Sequence, residues 1–146
     1  MKTRTMRHMG ILGVTLFAAA PFAFGGNPSL GREPAYNPAT VTDFLATVTE
    51  VNEVTLGNPF AGLHVLAKTK GKIVDIYVGP ADFAAKYGVV LHKGQEIRVV
   101  GSQVKLGDAE FVLARGITTF KRDPRGQICE DTTFFLRNDE GPFWGK

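Results

Sequence analysis

His64, Asp75 and Tyr77 are the side chains best placed by type and spacing to do chemistry. An imidazole donates or accepts a hydrogen bond according to its protonation state, and it titrates near neutrality. A carboxylate accepts, and a phenol offers a stacking face and a hydroxyl. All three lie in one stretch, GLHVLAKTKGKIVDIYVG, from Gly62 to Gly79. A two-residue turn at Lys70-Gly71 sets His64 opposite Tyr77 and Asp75 diagonal to His64. Such a trio reads as a patch for a small ligand or a cation. The commoner use of such a pair is ordinary cross-strand support for a sheet.

The stretch that must position them is a β-hairpin. Gly71 supplies the positive φ that a tight turn needs, and the turn length fixes the register. Thr69 then faces Lys72, Lys68 faces Ile73, Ala67 faces Val74, Leu66 faces Asp75 and Val65 faces Ile76. Side chains alternate along a strand, so one face carries Leu63, Val65, Ala67, Val74, Ile76 and Val78, all apolar. The opposite face carries His64, Leu66, Lys68, Ile73, Asp75 and Tyr77. A slip of one residue would set an apolar row beside a polar one, so this pairing is well specified. The expectation is a ribbon with a buried aliphatic face and a mixed outer face.

Around the hairpin the chain organises as one domain. Residues 1–25 read as a signal peptide: Lys2, Arg4 and Arg7 open it, an apolar run spans Met9 to Ala20, and Ala23 and Gly25 suit a cut after Gly25. The predicted localisation is periplasmic or secreted, with the membrane touched only by an uncleaved signal. Residues 26–40 are a flexible lead-in rich in Gly, Pro and Asn. Val41 to Val54 is a first strand, with a bulge expected near Glu50. After the hairpin, Pro80 suits a helix start and Gly88 its stop, with Phe83 and Tyr87 on one helix face. Strands follow over Glu96–Lys105, with a kink at Gly101, and Ala109–Thr118, joined by a turn at Gly107-Asp108. Residues 120–131 read as a connector, and Thr132 to Asn138 as a further strand. Phe134, Phe135, Phe143 and Trp144 make an aromatic tail. It suits docking on a partner, through Phe134, Phe135 and Trp144, or closing the fold.

Composition narrows the function classes. Lys and Arg number 17 against 14 Asp and Glu. Lys2, Arg4 and Arg7 carry the whole excess, so the chain after the cut is balanced. That argues against nucleic acid, which needs a basic face. Cys129 is the lone cysteine, so no internal disulfide forms. It reads as a buried small hydrophobe, or as an intermolecular thiol. His64, His92 and Cys129 lack metal-site spacing, so no metal is assigned. No G-x-S-x-G, P-loop or G-x-G-x-x-G is present, so no catalytic residue and no cofactor are assigned.

The order strand, strand, strand, short helix, strand, strand resembles an OB-fold. The predicted architecture is mainly β: a five-stranded antiparallel OB-fold-like barrel over 41–119, one short helix between strands 3 and 4, and residues 120–146 packed on it as connector and tail. With the signal segment, the chain resembles the small exported OB-fold proteins of bacteria, the periplasmic type called BOF. The stretches GLHVLAKTKGKIVDIYVGPADF, KGQEIRVVGS and FFLRNDEGPFW carry a similar pattern in mostly uncharacterised exported proteins. The resemblance covers Val41 to Trp144. It implies an exported, non-enzymatic module that binds a small ligand, a cation or an envelope partner. OB-folds bind on strands 2 and 3, which is where His64, Asp75 and Tyr77 fall. The alternatives are an accessory or assembly protein of a periplasmic complex and a small hydrolase or nuclease-like enzyme.

Overall fold

The computed structural model describes residues 35–54 and 60–144. The signal expected at 1–25, the lead-in as far as residue 34, and residues 55–59 lie outside the described residues. Five strands close into a ring: β1 (Val41–Val54), β2 (Gly62–Thr69), β3 (Lys72–Gly79), β4 (Glu96–Leu106) and β5 (Ala109–Arg122). Their order is β3-β2-β1-β4-β5, and β5 returns to pair with β3. The one helix, α1 (Ala81–Lys86), sits between β3 and β4. This is the OB-fold-like barrel expected. An odd number of strands cannot alternate direction all the way round a ring. One neighbouring pair must run parallel, and it is β3 with β5, through Asp75–Phe111, Ile76–Val112 and Tyr77–Leu113.

The hairpin forms in the expected register, from Thr69–Lys72 through His64–Tyr77. Both turn residues take positive φ, 47° at Lys70 and 77° at Gly71. The pairing then shifts between Leu63 and His64, so Leu63 faces Gly79. Further shifts fall at Val48/Glu50 in β1 and in the β4–β5 pairing at Val100/Gly101, where Arg115 of β5 is the extra residue. The first lies where the alternation blurs in the sequence, the second at the kink expected at Gly101. Such irregularities bend strands and let a small sheet curl shut.

Inside the ring, Val65, Ala67, Ile76, Val78, Ile97, Val99 and Ile117 are completely buried. Each valine or isoleucine among them contributes about 1.5–3 kcal/mol relative to exposure. The helix adds Phe83 and Ala84 to this core. It begins at Ala81, with Pro80 as the capping residue rather than the first helical one. Its end is tied by Gly88 N–H to Ala85 O (3.2 Å) and Val89 N–H to Ala84 O (2.9 Å), a paired closure that satisfies two last-turn carbonyls.

The connector expected at 120–131 is instead a hairpin. β5 runs on to Arg122, and β6 (Ile128–Phe135) pairs back along it from Ile128–Arg122 to Phe135–Gly116. The turn between them is built on Asp123, whose carboxylate accepts from the N–H of Arg125 and Gln127. Most of β6 is solvent-exposed, so it lacks the apolar alternation that betrays a half-buried strand. Cys129 lies on it and is exposed, not buried. A final pair of two-residue strands, β7 (Arg137–Asn138) and β8 (Gly141–Pro142), returns the tail to the barrel. The last lead-in residues are also fastened: Asn37 N–H donates to Ser102 Oγ (3.1 Å) and the Thr40 hydroxyl to Gln103 O (3.0 Å).

Candidate functional site

Pairing of β2 with β3 brings His64, Asp75 and Tyr77 together as the register requires. The His64 Nδ1 lies 2.9 Å from Asp75 Oδ1, and its ring centre 5.2 Å from that of Tyr77. The face is not open, however. His64 is 5 % exposed and Tyr77 4 %. The expectation of a solvent-facing patch at His64 and Tyr77 is corrected: this end of the outer face is part of a second, smaller core, while Lys68 and Ile73 nearer the turn are exposed.

Its cover comes from four parts of the chain. Phe60, just before β2, packs its ring 4.6 Å from Phe111 and 5.8 Å from Tyr77. Parallel pairing of β5 with β3 carries Phe111 and Leu113 to the same face. Tyr36 packs from the amino-terminal side. From the tail, the Arg137 guanidinium stands 5.0 Å over Trp144 and 5.8 Å over the Tyr77 ring, a cation–π arrangement. Trp144 also meets Phe83 of the helix at 4.8 Å. It lies so close to Gly79 that a Cβ there would stand 2.8 Å from the indole. Gly79 also has φ 149°, so only glycine suits it.

The polar atoms of His64 and Tyr77 are used internally. The Tyr77 hydroxyl donates to Ala61 O (3.2 Å). His64 Nε2 lies 2.6 Å from Phe60 O. Burial is the largest single influence on the imidazole and pushes its pKa down from 6.5. The hydrogen bond to Asp75, the contact with the Phe60 carbonyl and the attraction of the Asp75 charge together outweigh it, and the net shift is upward. At the edge, Arg115 bonds Asp139 at 2.8 Å, and Tyr36 and Asp139 together raise its pKa.

The three tail residues expected to dock on a partner are separated by the structure. Trp144 is spent on Tyr77 and Phe83, and Phe134 packs half-buried against the main core. Phe135 alone stands out, 70 % exposed. Two apolar side chains that the sequence reading passed over, Leu45 and Ile128, are 64 % and 52 % exposed and line one surface groove with Phe120 and Lys68. Among the described residues no three His, Cys, Asp or Glu side chains come together as a metal site. No described helix is long and apolar enough to cross a membrane, which leaves strands untested.

Residues 40–122 match the family model of the MamS/MamX magnetosome protein family. The chain belongs to that family. Searches of curated proteins and of solved structures found no match. The MamS/MamX match begins at the threonine before β1 and ends on the last residue of β5, so it spans the closed ring and nothing else. His64, Asp75, Tyr77, Phe60 and Phe111 fall inside the match. Arg137 and Trp144, which complete the cover, fall beyond it.

Sequence reasoning missed Phe60, Phe111 and Arg137. Phe60 sits in a turn-rich stretch, TLGNPFA, where a large apolar residue has no use in a solvated loop; that is the signal for it. Arg137 carried no such signal, because a charged residue in a tail reads as solvated.

Proposed function

We propose that this protein is an exported, non-catalytic accessory module of the magnetosome that acts by docking on other magnetosome proteins. One observation carries the reading. The end of the strand 2–3 face that carries His64, Asp75 and Tyr77, where OB-folds take their ligands, is covered here by the chain's own Phe60, Arg137 and Trp144. The described polar atoms of His64 and Tyr77 already serve Phe60, Ala61 and Asp75. A small ligand would have to displace an intramolecular cover. Leu45, Ile128 and Phe135 are exposed apolar side chains away from that cover, as on a surface that meets other proteins. Membership of the MamS/MamX family supports the magnetosome setting. Export rests on the basic start, the apolar run and the Ala23-to-Gly25 cut site.

Crosslinking in the cell of origin, followed by capture through a carboxy-terminal tag, tests the docking. The expected result is recovery of other magnetosome proteins, reduced by the Leu45→Ser/Ile128→Ser double variant. Recovery of none, or recovery indifferent to those changes and to Phe135→Ser, sinks the reading. Amino-terminal sequencing should find a mature chain starting at Gly26, and a full-length cytosolic product would remove export.

A further inference from the structure

His64 touches two acceptors and, among its described contacts, no donor. Nε2 is 2.6 Å from the Phe60 carbonyl oxygen and Nδ1 is 2.9 Å from a carboxylate oxygen of Asp75. A carbonyl oxygen accepts only. So does a carboxylate, and that of Asp75 is still reached by water, with 27 % of its side chain exposed. A neutral imidazole carries one N–H. Either neutral tautomer would therefore aim a nitrogen lone pair at an oxygen within hydrogen-bond distance. The imidazolium alone donates to both.

The surroundings agree. On β3, the groups facing the ring are Asp75 and Tyr77. From β5 comes the edge of Phe111, at 6.2 Å. On β1 the paired residue is Asn52, which is uncharged. From β7, Arg137 stands over the Tyr77 ring. Asp75 is thus the charge in direct contact, and it favours the cation.

We propose that His64 is a pH-operated latch, protonated in the closed state, that fastens Phe60 to the outer face of the hairpin. On deprotonation one contact must go. A charged acceptor holds a shared proton more firmly than a neutral one, so the remaining N–H stays with Asp75 and the Phe60 carbonyl loses its hydrogen bond from His64. Losing a hydrogen bond donated by a charged group weakens the hold on Phe60. Phe60 therefore loosens its packing on Phe111 and Tyr77 as pH rises through the His64 pKa. The upward shift of that pKa fits this geometry. The latch stands independently of the docking reading.

The test is NMR of the full chain labelled in histidine rings, with His64 identified by its through-space contacts to Tyr77 and Phe111. The expected result is a doubly protonated ring at pH 6 and a midpoint above 6.5. Protection of the amides at 60–64, after division by the intrinsic exchange rate, should fall at the same midpoint. A singly protonated ring at pH 6, a midpoint below 6.5, or protection unchanged across the titration overturns the latch. In Asp75→Asn the amide oxygen still accepts but the charge is gone, so the midpoint should drop; an unmoved midpoint overturns the role given to Asp75. If that variant does not fold, the titration of the unaltered chain decides alone.

Discussion

At the end away from its turn, the β2–β3 hairpin is almost equally dry on both faces, and the two are built in different ways. On the inner face Val65, Ala67, Ile76 and Val78 have no exposure at all, and on the outer face His64 and Tyr77 retain only a few per cent. The inner face is dry because a ring of strands has an inside. The outer face is dry around His64 and Tyr77 because Phe60, Phe111, Arg137 and Trp144 are brought over that end from distant parts of the chain. An interior made by closure is as secure as the sheet itself. An interior made by a cover is as secure as the contacts that hold the cover down, and here some of them are polar. The outer face should therefore respond to pH and to tail mutations that leave the inner face untouched.

The sharpest break of this comparison is Ile76→Ala. It deletes buried aliphatic volume in the ring and should cost about 3–4 kcal/mol in chemical denaturation, at any pH at which the protein folds. Trp144→Ala comes next. The indole is only partly buried, so the cost should be about 2 kcal/mol, below the range for fully buried aromatics. The ring should stay folded while the near-ultraviolet signal of Tyr77 changes. Equal losses from the two substitutions would mean that the cover is part of the barrel's own core.

Asp75→Asn should cost less, about 1–2 kcal/mol, as expected for a hydrogen bond to a charged group. The cost should also depend on pH. The folded pKa of His64 lies above 6.5, so the stabilisation from its charged form is fully present below 6.5 and is lost as pH rises through the folded value. The difference between native chain and variant should therefore shrink with rising pH across that window. A difference that grows instead would mean that the proton is on the wrong partner.

The same division explains what the sequence could reveal. The inner row is written in a period of two, and Lys70-Gly71 fixes its register, so the ring and its six hairpin pairings were legible before any coordinates. The meeting of His64 with Asp75 and Tyr77 followed from that register too. The burial of His64 and Tyr77 did not, because no periodicity links Phe60 to Trp144; only the closure of β5 on β3 and the return of β7 and β8 bring them together. The β6 hairpin escaped notice for a related reason. Exposed on both faces along most of its length, Ile128 to Phe135 has no alternation to display, and Cys129 was misplaced with it.

The smallest effect should come from Arg98, and it isolates what burial contributes. Arg98 and Asp43 form a bidentate pair across β4 and β1, with better geometry than His64 and Asp75 enjoy. Nearly half of each side chain is in water. Exposed pairs of this kind gain little, because water already solvates both charges and salt screens them. The Asp43 carboxyl is nevertheless held below its ordinary value, chiefly by the hydrogen bond from Arg98. Whatever it contributes is present above 3.8 and lost as pH falls through the lower folded value, the opposite limb from that of His64. Arg98→Gln should leave the denaturation midpoint unmoved at neutral pH, and raising the salt should not separate it from the native chain. If it instead destabilises as much as Asp75→Asn, then a carboxylate–cation contact has the same weight wet or dry in this protein. The covered face would then owe its pH sensitivity to pairing alone and not to its burial.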